Sequence, residues 1–302
     1  MTLDIRSDNN APPADAKSAI VSTGAVLFHR IEDTAGKSTS AKRRKLLRKV
    51  FGKTNKSPFC WGLAAGTEKN SPQKLIQRSH RQFWDSDSVS QATTKQLKEN
   101  CEKLHSKPEI LGAIALVAYC SELTVQVPDS MKPENPSLNC QLQQVELQLW
   151  NGLNSASDFD CNEAVELMEG LTERMLDGDG WPGAEFFPEF GLLAASWIRC
   201  AKVFEYLGID IDADTESRLD WLTCQLARSM RKDGSLFFDE QNSGINCHSY
   251  AKAIAEFSLD NAIEKLFRRK ASGAKAKRKS IRKLPAPSSV SEWGQTSVLR
   301  CD

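Results

Sequence analysis

Asn242, Asn246, His248 and Tyr250 fall within nine residues of one another, ahead of a stretch with helical apolar spacing. An amide can grip a carboxylate, and an imidazole or a phenol can give and take protons. Base-promoted cleavage of an acidic sugar needs those functions: one group neutralises the carboxylate, one removes the adjacent carbon-bound proton, and one protonates the departing oxygen. The same four residues also suit a turn and a cap, with Asn246 or Ser249 bonding the first amides of the helix behind them. A second group lies upstream between Asp177 and Phe190, where Trp181, Phe186, Phe187 and Phe190 stand beside Glu185 and Glu189. Aromatic rings next to carboxylates suit sugar stacking, and equally suit a loop that plugs the end of a helical barrel.

Metal chemistry has no comparable signal. The nine cysteines form no CxxC pair and no His/Cys spacing fit for tetrahedral zinc, and no cofactor is expected. Cys120 and Cys200 sit in apolar runs, where a free thiol behaves as a small hydrophobe, so a reducing compartment is expected. None of His29, His80 and His105 has a ligand partner nearby in sequence.

The elements that must position these residues read as helices. Ser106-Lys107-Pro108-Glu109 has the pattern of a capping box with proline in the first turn, and Ile110 to Leu123 behind it is apolar almost all round. Leu138 to Leu149 predicts another helix. Asp160-Cys161-Asn162-Glu163 predicts the start of a further one, with Val165, Met168, Leu171 and Met175 along one stripe. That helix is expected to stop at Asp177-Gly178-Asp179-Gly180, where glycine takes a positive φ. Leu192 to Leu207 is apolar except for Ser196, Arg199, Lys202 and Glu205, which lie three apart. Another helix is expected from Asp214 or Thr215 to the corner Asp233-Gly234, and a last one over Tyr250 to Phe267.

Placing Arg174 over Arg228 aligns the two Asp-Gly corners and the aromatic pairs Phe186-Phe187 and Phe237-Phe238 at an offset of 54 residues. A helical hairpin that cannot bury its own apolar face, repeated at that period, predicts stacked helix pairs. The expected fold class is all-α, an incomplete α/α-toroid of helical hairpins with a terminal β-strand. In that organisation residues 1–17 are a disordered leader and 18–87 carry no assignment. Residues 88–264 form the helical domain, 265–289 a basic linker, and 290–302 the first strand of a following domain.

Lysine and arginine number 40 against 39 acidic residues, so the whole-molecule charge favours neither nucleic acid nor an acidic partner. The basic runs 42–49 and 265–283 read first as solvated stretches, and as contacts for an anionic partner in the alternative. Too few aromatics interleave with them for base stacking, so nucleic acid is not the expected partner. The opening residues lack a secretory pattern and the longest apolar stretch, Ile110 to Tyr119, is too short to span a bilayer. No membrane association is expected; the location is cytoplasmic as written, or periplasmic if the true N-terminus differs.

Leu171 to Phe238, with LDGDGWPGAEFFPEFGLLAASWIRC followed by LDWLTCQLARSMRKDGSLFF, resembles the α/α-toroid half of the heparinase II/III-like polysaccharide lyases. Ser291 to Arg300 is similar to the first strand of the β-sandwich that follows the toroid in that family. The resemblance implies eliminative cleavage of an acidic polysaccharide, with Tyr250 as acid/base, His248 as its helper and Asn246 gripping the carboxylate. Asn242, Trp181, Glu189 and Arg199 complete the candidate substrate-binding set. Members of the family take a further histidine, and often a metal, from the β domain. A β-sandwich domain or a neighbouring chain is therefore an expected partner, and the chain as written is expected to be incomplete or inactive. The alternative is a non-catalytic helical-repeat protein whose basic segments contact an anionic partner.

Overall fold

The computed structural model describes residues 40–52, 58–63, 71–86, 90, 92–96, 111–120, 137–155, 158–229, 254, 289–291 and 296–298. These residues make an all-α body of seven long helices: α1 (Ser40–Val50), α2 (Pro72–Ser86), α3 (Leu111–Cys120), α4 (Leu138–Ser155), α5 (Asp158–Met175), α6 (Phe190–Leu207) and α7 (Ala213–Ser229). Short 3-10 turns at Pro58–Cys60 and Ala184–Glu189 join them.

The arrangement of α4 to α7 follows from their apolar faces. Helices α4 and α5 pair as one hairpin and α6 and α7 as the next; α4 then packs on α6, and α5 on α7. The result is two stacked hairpins, with α4 and α6 in one layer and α5 and α7 in the other. Arg174 lies in the last turn of α5 and Arg228 in α7, so the two positions 54 residues apart in the sequence fall on the paired helices. Leu167 and Trp221, also 54 apart, are the exposed large apolar side chains of the described residues, so the outward position recurs as well.

Local chemistry sets the helix ends. Ser71 and Ser137 accept from Lys74 and Cys140 backbone amides at 3.4 and 3.2 Å, capping α2 and α4. Asp212 caps α7 by accepting from the Asp214 and Thr215 amides at 2.9 Å and from the Thr215 hydroxyl at 2.6 Å. The Thr215 bonds hold the Asp212 carboxyl below its ordinary pKa, so this cap is lost only as pH falls through the lowered value. Helix α6 ends at Gly208, whose φ of 73° lets Ile209 N–H reach back to Phe204.

Several expectations shift. Helix α5 starts at Asp158, which puts Asp160 inside it rather than at its cap, and α7 starts at Ala213 because Asp212 outcompetes Asp214 as the cap. Residues 18–87, without assignment from sequence, contain α1 and α2. The terminal strand folds back: β1 (Ser289–Ser291) pairs antiparallel with β2 (Thr296–Val298), Val290 opposite Ser297. The expected start at Ser106–Glu109 and the corner Asp233-Gly234 lie outside the described residues.

Helix α3 is buried from Gly112 through Cys120, as an all-apolar helix must be. Among the described residues no helix is long and apolar enough to cross a membrane.

Candidate functional site

The Asp-Gly corner is a compact turn seated on the next hairpin. Leu176 bridges Pro182, and the Asp177 amide and carbonyl close on Trp181 and Gly180. Asp177 Oδ1 accepts from the Asp179 and Trp181 amides at 2.9 and 2.8 Å. Gly180 has φ 73°, and a Cβ there would lie 2.2 Å from the Leu222 nitrogen. From α7, Arg218 Nη1 donates to the Leu176 carbonyl at 2.7 Å, and Gln225 Nε2 to the Asp179 carbonyl at 2.6 Å. The corner is thus the clamp between α5 and α7.

Of the candidate residues the structure describes Trp181, Glu189 and Arg199, and each is engaged separately. Trp181 is fully buried, with ring centroids 6.0 and 6.4 Å from those of Phe187 and Phe190. It fills the core under the 3-10 turn, which corrects its assignment as an open sugar platform. Glu189 is exposed and accepts a hydrogen bond from Asn139 Nδ2. Asn242, Asn246, His248 and Tyr250 lie outside the described residues.

Arg199 is not at a surface either. It is fully buried between α4 and α6, its Nε 2.5 Å from Glu146 Oε1 and its Nη2 2.8 Å from Glu146 Oε2. Ser196 donates to Glu146 at 2.8 Å and accepts from Gln143 Nε2 at 2.7 Å; Gln143 Oε1 in turn takes the Gly112 amide at 2.9 Å. Trp150 Nε1 donates to Glu146 at 3.1 Å, and Arg199 Nη1 reaches the Pro58 carbonyl at 3.3 Å. Each charged atom is met, which is the condition for burying an ion pair. The group ties α3, α4, α6 and the Pro58 turn together, so its role is architectural and Arg199 has no free edge for substrate.

The surface that does face outward with a distinct chemistry is basic. Helix α1 buries Arg43, Leu46, Leu47 and Val50 and exposes Lys42, Lys45, Arg48 and Lys49. Arg43 donates to the Tyr119 carbonyl and stacks over the Tyr119 ring, 4.8 Å from its centroid. Arg48 lies over the Trp84 ring of α2 at 5.8 Å, beside exposed Arg78 and Arg81. No aspartate or glutamate occurs in residues 40–52 or 71–84. By contrast, residues 158–220 hold sixteen acidic and four basic residues, so the near-neutral total conceals a separation of charge. A hollow of about 300 Å³ adjoins the end of α1, lined by Lys49, Phe51, Lys202, Glu205 and Tyr206, with Lys202 paired to Glu205 at 3.0 Å. Sequence reading named the 42–49 run as a solvated stretch or an anionic contact but left its helix unassigned, because its charges dominate it. The missed signal was the i, i+3, i+4, i+7 spacing of Arg43, Leu46, Leu47 and Val50.

Six cysteines, at 60, 120, 140, 161, 200 and 224, are buried thiols. Burial pushes the Cys60 thiol up to about 12 and those of Cys120 and Cys200 well above the ordinary value. A native thiol titration is expected to modify no more than three of the nine cysteines; all nine should react after unfolding. Among the described residues no three His, Cys, Asp or Glu side chains cluster as metal ligands. No family model, curated protein or solved structure matches the chain.

Proposed function

We propose that this all-α domain is a binding module for an acidic polysaccharide, held on the basic face of α1 and α2. The observation that carries the reading is α1 itself, whose apolar side is committed to the core while Lys42, Lys45 and Lys49 point outward. At about 1.5 Å of rise per residue these three ammonium groups form a row roughly 10 Å long. A polymer with regularly spaced carboxylates or sulfates meets them in succession and releases counterions as it does so. Trp84 already carries Arg48 over its ring and Phe83 at 5.8 Å, which disfavours base stacking and hence a single-stranded nucleic acid. Eliminative cleavage, if the domain performs it, falls to Asn246, His248 and Tyr250.

The test is a titration with a soluble polyuronate at low and at raised salt. Binding is expected to weaken as salt rises. Exposed charge contacts contribute up to about 1 kcal/mol each, so Lys42→Glu, Lys45→Glu and Lys49→Glu combined should weaken binding on the order of 10²-fold at low salt. Salt-independent binding, an unaffected triple variant, or a preference for duplex DNA would sink the reading. An absorbance from unsaturated uronate in the same cuvette, absent in Tyr250→Phe, would add cleavage to binding.

A further inference from the structure

Arg228 is a buried guanidinium without a carboxylate among the described residues. The residue is 9% exposed, and its Nη1 donates to Gln225 Oε1 at 2.7 Å. Its Nε, with almost no exposed surface, has no acceptor among the described residues. The adjoining Ser229 is fully buried, and its hydroxyl likewise has no partner among the described residues. Gln225, Arg228 and Ser229 stand at i, i+3 and i+4 in the last turn of α7, so they share one patch of its surface. Gln225 anchors that patch to the Asp-Gly corner through the Asp179 carbonyl.

The repeat does not explain this burial. Arg174, the counterpart of Arg228 one repeat earlier, is exposed. The carbonyl end of α7 favours a cation nearby, which accounts for the charge being tolerated. It does not meet the Nε–H or the Ser229 hydroxyl, and a buried donor without an acceptor is a cost that folding alone gives no reason to retain. The contrast with Arg199, whose guanidinium is met by Glu146, Ser196 and Pro58, is direct.

We propose that Arg228, with Ser229 and Gln225, forms a carboxylate-binding subsite at the end of α7. Gln225 holds Nη1 and fixes the plane of the guanidinium. The opposite edge, Nε–H and Nη2–H, matches the two oxygens of a carboxylate, and the Ser229 hydroxyl is a further donor beside it. The donor set fits an oxyanion with two oxygens to offer; the choice of a carboxylate, borne by a uronate, rests on the polysaccharide reading.

The test is thermal unfolding of the full chain in sodium glucuronate, in sodium chloride of equal ionic strength, and in glucose. Glucuronate is expected to raise Tm of the wild type above that in chloride, and glucose to leave it unchanged. Arg228→Met should abolish the glucuronate shift without lowering Tm in chloride, because it removes a charge that no carboxylate of the described residues offsets. Arg228→Lys, which keeps the charge and loses the fork, should lose most of the shift. A wild type indifferent to glucuronate, an equal shift in Arg228→Met, or an Arg228→Met chain that melts well below the wild type in chloride would overturn the subsite. The Lys42/Lys45/Lys49→Glu variant separates the two proposals: it should lose the polymer and keep the glucuronate shift. Loss of the shift in Arg228→Met with polymer binding intact supports the subsite alone.

Discussion

Arg199→Met is expected to lower the unfolding free energy by about 3–5 kcal/mol, read as a fall in the denaturant midpoint with an unchanged slope. The cause is what the substitution leaves behind. Glu146 is fully buried, and without Arg199 its carboxylate keeps only the Ser196 hydroxyl and the Trp150 indole as donors. An uncompensated charge in that position is far costlier than the lost attraction between the pair. Removing both charges at once, Glu146→Leu with Arg199→Met, should recover most of the loss, because an ion pair and a well-packed apolar pair of similar volume differ little in net stability. If the single and double variants are equally unstable, the network is not the linchpin of the α4/α6 layer. Gly112 belongs to the same argument, since a Cβ there would meet Glu146 Oε2 at 2.1 Å.

Gly180→Ala is expected to cost about 2–5 kcal/mol, combining left-handed backbone strain with overpacking. The neighbour that a methyl group would strike is the backbone of Trp221 and Leu222, which cannot swing aside as a side-chain tip can. Gly178, two residues earlier in the same corner, has open space around its virtual Cβ and no positive φ. Gly178→Ala should therefore stay within about 0.5 kcal/mol of the wild type, as surface substitutions do. The pair separates a corner clamped on α7 from an ordinary exposed turn. Equal effects at the two glycines in thermal or denaturant melts would contradict the clamp.

Much of the fold was legible because it is written in periodicity. The apolar stripe Val165, Met168, Leu171 and Met175 gave α5, and α5 packs on α7, the helix that the 54-residue offset pairs with it; the second corner and aromatic pair of that offset lie outside the described residues. Caps were less certain, since Asp212 and Asp214 carry the same chemistry two residues apart and only three-dimensional context decides between them. Residues 40–86 were opaque because each apolar stripe there is diluted by lysine and arginine. The site was harder still. Trp181 and Arg199 are types that serve both binding and packing, and sequence does not report burial; the structure commits Trp181 to the core and Arg199 to Glu146. Arg228 was legible in sequence only as the counterpart of Arg174. Its distinguishing property is a buried Nε without an acceptor among the described residues, which becomes visible only once the surrounding atoms are placed.

The stacking of one hairpin on the next, with the first corner pressed against α7, is the claim on which the rest depends. A nuclear Overhauser spectrum of the isotope-labelled chain measures it at one point, the approach of the Gly180 α-protons to the Leu222 backbone amide. The stacked arrangement predicts a strong cross-peak, lost on denaturation. Assigned resonances for both residues with no cross-peak between them, while the helical contacts inside α5 and α7 persist, would mean that the two hairpins do not stack in this way.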